Sequence, residues 1–254
     1  MGRRKLDGLQ QYAELVTGSY SDEEILALTA NYLARYGISG FNYFNSDPTD
    51  QDLKTTKVSF HTTLPTEWLQ DYQERGYDYV DHMAEHYRLG RRSPILAGPE
   101  LKKYFPKLRD DQKVVMNHGA EAGLLSGVSL PVASLASIET DISGFTLCSL
   151  DNGDKFMKML RQHGFEIGLF LNAVHQNIGN KFIAKAAGFK SLSPREKDCL
   201  KYMAKGMRIS ALAYKLKISE VTVNFHLRNI RKKLKSRTVT EAVAKAIKYE
   251  MIKI

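Results

Sequence analysis

Between Ser219 and Leu234 the chain reads SEVTVNFHLRNIRKKL, and Val223, Leu227, Ile230 and Leu234 recur at offsets 0, 4, 7 and 11. This is a single apolar stripe at helical period, so the segment is expected to form a helix with that face on a core. The opposite face carries Val221, Phe225, Arg228 and Lys232, flanked by Asn224 and Asn229. A face meant only for water seldom sets a Val and a Phe among its Arg and Lys. Apolar groups beside Arg and Asn suit base edges and thymine methyls. The competing reading is the charged outer face of an ordinary bundle helix.

Charge separates the two readings. Residues 190–254 hold 17 Lys and Arg against 5 Asp and Glu, a net +12, whereas the other 189 residues carry −3. The whole positive excess of this +9 chain lies in its last quarter, which points that segment at a polyanion, nucleic acid first. At 254 residues the chain accommodates two domains, each with its own core. Its two cysteines, Cys148 and Cys199, sit among apolar neighbours and suit a reducing compartment. No apolar run reaches membrane-spanning length, and no apolar segment follows the basic start, so a cytoplasmic protein with no membrane association is expected.

Around the opening helix the last quarter reads as four helices. Ser193 can cap a first helix with Pro194 in its first turn and Glu196 three residues on; Leu200, Met203 and Ala204 face in, and Gly206 ends it. Ile209, Leu212, Ala213 and Leu216 make a second amphipathic helix, separated only by Lys217 and Ile218 from Ser219, the cap of the third. A last helix turns Val239, Ala242, Val243 and Ile247 inward. Two short helices joined by a tight turn, the second of them basic, describe a helix-turn-helix domain. Its residues Leu192, Arg195, Glu196, Leu200 and Gly206, then Ile218, Ser219, Thr222, Val223, His226, Asn229, Ile230, Lys233 and Leu234, fit a pattern of LTxRExxxL, Gly and ISxxTVxxHxxNIxxKL. This segment resembles the DNA-binding domain of the LuxR family, with Ala211 standing where that family often has Glu. The resemblance implies that Asn224 and Arg228 face bases, beside the exposed Phe225, and that Thr222, Lys232 and Lys233 contact phosphates. His226 is read as a packed core histidine. Glu196 is read either as a helix N-terminal acid or as a position used in activation.

The front of the chain lacks the βα alternation of a phosphorylated receiver. Helices are expected near 22–35, 67–74, 110–121 and 154–175, with strands at FNYF, KVSF, GVSLPV and GFTLCSL. Helices flanking an antiparallel sheet make an α+β sandwich able to hold a small molecule. Trp68, Tyr72, Tyr77 and Asp81 follow at spacings of 4, 5 and 4, and EAGLLSGVSLPV supplies Gly123, Gly127 and Pro131. Both stretches are similar to the acyl-homoserine-lactone-binding domain of quorum-sensing LuxR regulators. The resemblance implies that Asp81 accepts the ligand's amide N–H and Trp68 donates to the ring carbonyl. Tyr72 and Thr146 would donate to the amide carbonyl, with Tyr77 and the region of Leu96 completing the wall. Two departures stand out: His82 follows the Asp where the family has Pro, and Leu96 lies where a second pocket Trp is expected.

The sequence therefore implies an N-terminal α-β-α sandwich ligand-binding domain (1–175), a linker (176–190), and an all-α four-helix DNA-binding domain (191–254). The expected function is a transcription regulator of quorum sensing, binding an N-acyl-homoserine lactone and, as a homodimer, a palindromic operator, with RNA polymerase as a downstream partner. A regulator sensing a non-lactone signal, or a ligand-independent one, is the alternative. No cofactor or metal is expected. HMAEH, from His82 to His86, matches a zinc-peptidase pattern, but the sequence offers neither a clear helix there nor a distant third ligand.

Overall fold

The computed structural model describes residues 21–46, 58–105, 107–132, 143–249 and 251–252. The chain divides into two compact units, Met1–Gly179 and Asn180–Ile254.

The N-terminal unit is built on a five-stranded sheet in the order β2-β1-β5-β4-β3: β1 Gly40–Ser46, β2 Val58–Thr62, β3 Ile95–Ala97, β4 Ser126–Pro131 and β5 Ser143–Ser149. Every neighbouring pair is antiparallel, and side chains alternate between the two faces. Phe41, Tyr43, Phe145, Leu147 and Val128 share one face and are buried. Helices α1 (Asp22–Ala34) and α5 (Gly153–Ala186) cover it: Tyr32 of α1 packs on Phe170 of α5 at 4.0 Å, and the Tyr43 hydroxyl meets His175 Nδ1 at 2.9 Å. Truncating Leu147, fully buried there, to Ala is expected to cost about 2–5 kcal/mol.

On the opposite face lie α2 (Thr66–Glu74), a 3-10 turn (Tyr77–Tyr79), α3 (His82–Arg88) and α4 (Asp110–Glu121), while a second 3-10 segment (Pro99–Tyr104) meets the start of α5. The two motif glycines have separate reasons. Gly123 turns the chain out of α4 at φ +90, and a Cβ on Gly127 would sit 2.8 Å from the Leu147 carbonyl oxygen.

The C-terminal unit comprises α6 (Pro194–Ala204), α7 (Ile209–Leu216), α8 (Glu220–Lys233) and α9 (Val239–Lys248). Ser193 and Glu196 form a capping box on α6, and Ser219 caps α8 through the Thr222 N–H. The core gathers Leu200, Leu212, Val223, Leu227, Ile230 and Leu234, so the stripe that opens the sequence reading is the buried face of α8. Lys217 closes α7 in the left-handed conformation (φ 54) and allows the tight turn into α8.

Three expectations need correction. Helix α5 runs past 175 to Ala186, through most of the presumed linker. No proline interrupts 176–186, a helix tolerates Gly179 at about 1 kcal/mol, and the chain turns only at Gly188, whose φ is +70. In α9, Ala246 takes the inward place expected of Ile247, which is 41% exposed. Helix α3 and strand β3 were not expected at all.

Candidate ligand cavity and nucleic-acid interface

A cavity of about 560 Å³ opens between the sheet and the α2–α3 layer. Helix α2 contains no buried residue because Trp68, Leu69 and Tyr72 face this space and not a packed core. Trp68, Tyr72 and Tyr77 pack edge to face or tilted against one another, with centroids 5.7, 6.3 and 5.9 Å apart. Among the described residues the Trp68 indole N–H has no acceptor, so it remains a donor available at the wall.

Asp81 is the best-connected wall residue. It is 4% exposed and caps α3, its Oδ1 accepting the Met83 N–H at 2.9 Å. Tyr72 donates its hydroxyl to Oδ2 at 2.8 Å, and His82 Nδ1 lies 3.4 Å from Oδ1. Burial, reinforced by Asp81, pushes the Tyr72 phenol well above its ordinary range, so it stays a donor. That donor is already committed to Asp81. For His82, burial opposes protonation. The hydrogen bond and charge of Asp81 and the Leu96 carbonyl oxygen, 3.0 Å from Nε2, outweigh it and raise its pKa above 6.5.

The cavity face of the sheet carries Asn42, Thr146 and Ser129 in one cross-strand row. Tyr87 of α3 donates to Ser129 Oγ at 3.0 Å and Thr146 does so at 3.1 Å. Burial pushes the Tyr87 phenol up to about 12. Of the expected ligand residues, the structure brings Trp68, Tyr72, Asp81 and Thr146 together in the wall. It places two outside. Tyr77 is buried behind the wall, bonded to His118 Nδ1 and bracing the other two rings. Leu96 pairs with Val128, whose side chain lies on the α1–α5 face; its neighbours Ile95 and Ala97 have the cavity parity. Asn42, Ser129 and Tyr87 were missed, and the strand alternation of FNYF and GVSLPV around Asn42 and Ser129 could have found the first two. In HMAEH the groups are occupied otherwise: His86 Nε2 meets the Ser93 carbonyl at 3.0 Å, and Glu85 takes Arg109 at 2.9 Å and Gln112 at 2.7 Å.

On α8 the exposed face presents Val221, 79% exposed, and Phe225, with the Arg228 guanidinium 5.7 Å from the Phe225 ring. Asn224 donates to the Glu220 carbonyl at 3.0 Å, which turns its oxygen outward. Thr222 lies at the helix start, its hydroxyl 2.8 Å from Ser219 Oγ, and Lys232 is exposed. Lys233 departs from expectation: its Nζ is bound at 2.7 Å to the buried Glu196, so it fastens α8 to α6 and is not free for a phosphate. Burial would raise the Glu196 carboxyl, but Lys233 and the cap on Ser193 hold it below its ordinary value. Glu196 is thus built into the fold. His226 is only half-buried, its ring 5.9 Å from Phe225, and is not the packed core histidine expected.

One unit is a sandwich with a lined cavity and the other a helix-turn-helix unit, the two parts expected of a ligand-responsive DNA-binding regulator. Residues 21–178 match the family model described as autoinducer binding domain, and residues 190–246 match bacterial regulatory proteins, luxR family. The chain belongs to the LuxR family of quorum-sensing transcription regulators. It is similar to the transcriptional activator protein VanR of Vibrio anguillarum, 28% identical over 77% of this chain and 78% of VanR. The crystal structure of Escherichia coli SdiA shares the fold at TM-score 0.53 and 18% identity, over 97% of this chain and 98% of that one. The N-acylhomoserine-lactone-dependent CepR2 of Burkholderia cenocepacia does so at TM-score 0.51 and 15% identity, over 66% and 93%. Among the described residues no helix is long and apolar enough to cross a membrane.

Proposed function

We propose that this protein is a cytoplasmic quorum-sensing regulator whose cavity binds an N-acyl-homoserine lactone and whose α8 reads a palindromic operator as a homodimer. The observation that carries the reading is Asp81, a buried carboxylate on the cavity wall. A carboxylate offers about four lone-pair sites. Met83 and Tyr72 account for two by hydrogen bonds and the His82 ring stands 3.4 Å from Oδ1, which leaves room for a ligand donor such as the amide N–H of an acyl lactone. Trp68 supplies an N–H for the ring carbonyl, and Phe44, Phe60 and Leu69 an apolar seat for the chain. CepR2, dependent on such a lactone, shares the fold and supports the same direction. Two copies of α8 suit two half-sites. The exposed Phe165 and Leu169 of α5 offer a second copy an apolar patch, and RNA polymerase is the downstream contact.

A second reading, a non-lactone signal, is favoured by His82, which adds a donor to Asp81 where the family has Pro. Mass spectrometry of an organic extract from protein expressed with a panel of acyl lactones decides between them. A retained lactone supports the first reading. An extract without any lactone, from a folded protein, favours the second.

A further inference from the structure

Val221 stands two residues before Val223 of the buried α8 stripe, about 200° round the helix and so on the opposite side. It is 79% exposed, and Phe225, one turn further on, is 48% exposed. Arg228 completes the row: at about 100° per residue the three side chains fall within an arc of about 60°. The Arg228 guanidinium lies 5.7 Å from the Phe225 ring, which holds the charge against the helix beside the apolar pair. Val221 itself projects from a first turn fixed by Ser219, whose Oγ accepts the Thr222 N–H at 3.1 Å. Residues at the start of a reading helix are the ones that reach base edges.

Singly exposed apolar residues are ordinary on a protein surface. A Val and a Phe in register with an arginine, on the basic helix of a helix-turn-helix, are placed for a purpose. The family pattern leaves both positions open, so it prescribes neither residue. On the major-groove edge of a base pair the thymine C5 methyl is the one alkyl group; the rest are hydrogen-bond donors and acceptors. A side chain without polar atoms, set over a donor or acceptor, strips its water and returns no bond, which weakens binding. Set over a methyl, it buries apolar surface on both sides. Val221 and Phe225 thus favour thymine by contact and disfavour the other bases by desolvation. Helix rise is about 1.5 Å per residue, so Val221 and Arg228 stand about 10 Å apart along α8, at most about three base-pair steps of about 3.4 Å.

We propose that Val221 and Phe225 read thymine methyls, and that each half-site carries thymine within about three base-pair steps of the guanine taken by Arg228. This rests on α8 being the reading helix and names the base it selects. The full-length protein, with and without the lactone panel, selects its site from random duplexes. Each thymine of the enriched site is then replaced by uracil, which removes the methyl alone. The wild type should lose about fourfold in affinity for each contacted methyl. Val221→Ser and Phe225→Ala, both at exposed positions, should keep the native melting temperature and each shrink the penalty at one thymine to under about twofold. Uracil DNA bound as tightly as thymine DNA at every position overturns the proposal. A penalty undiminished in both variants does so too, as does an enriched site with no thymine within that reach of a guanine. No enriched sequence at all overturns the reading role of α8 itself and this proposal with it, an outcome distinct from equal binding.

Discussion

Asp81 does two jobs at one position, and substitution can separate them. It caps α3 and it faces the cavity as an anion. Asn caps helices about as well as Asp, so Asp81→Asn should keep the fold while weakening ligand binding by about 1.5–3 kcal/mol, the worth of a hydrogen bond to a charged group. Titration of ligand against wild type and variant reads this out, and an unchanged dose response removes Asp81 from the site. Its neighbour His82 gives a pH signature. The His82 pKa is raised in the fold, so its contribution is fully present below its ordinary value near 6.5 and is lost as pH rises through the raised value. Thermal stability of the wild type should fall as pH rises from near 6.5 through the raised value, and His82→Gln should flatten that decline. A slope that survives the substitution assigns the effect elsewhere.

Helix and strand parity decided which of the expected residues reach their sites. Period-3.6 patterns are carried by local residues, so the buried stripe of α8 and the capping box at Ser193 were legible in the sequence. A strand's facing depends on its register with a neighbour, which a three-residue strand cannot encode; Leu96 was therefore misplaced by one position. Asn42 and Ser129 were legible as polar positions in the alternation of FNYF and GVSLPV, but only the pairing with Thr146 shows that they share its face. Lys233 matched the family motif, but its tie to Glu196 spans two helices and only the fold reveals it. The two adjacent lysines should thus behave differently. Lys232→Ala should lower the salt dependence of DNA binding by about one ion. Lys233→Met should chiefly destabilise the C-terminal unit, by about 1–3 kcal/mol, through a buried carboxylate left unpaired. Melting curves and salt titrations of both variants test this, and a Lys233→Met protein of native stability contradicts the assignment.

Across the whole molecule, sensing and reading are segregated by charge as well as by fold, the acidic-leaning sandwich apart from the +12 tail. Arg228→Ala should therefore lose about 1–3 kcal/mol on the operator and far less on random DNA, since non-specific affinity comes from the remaining basic residues. Equal losses on both would refute base reading by Arg228. Phe165, 82% exposed on α5, should matter to self-association alone: Phe165→Glu is expected to weaken the dimer in sedimentation, and unaltered sedimentation excludes this face. The central claim is that the α2–α3 cavity is a lactone site centred on Asp81. Its most direct test is the thermal unfolding of purified wild type and Asp81→Asn with a retained lactone added back. Ligand at about 100 times its Kd should stabilise the wild type by about 2.7 kcal/mol and the variant by much less. An equal shift in both proteins, or none in the wild type, would contradict the account.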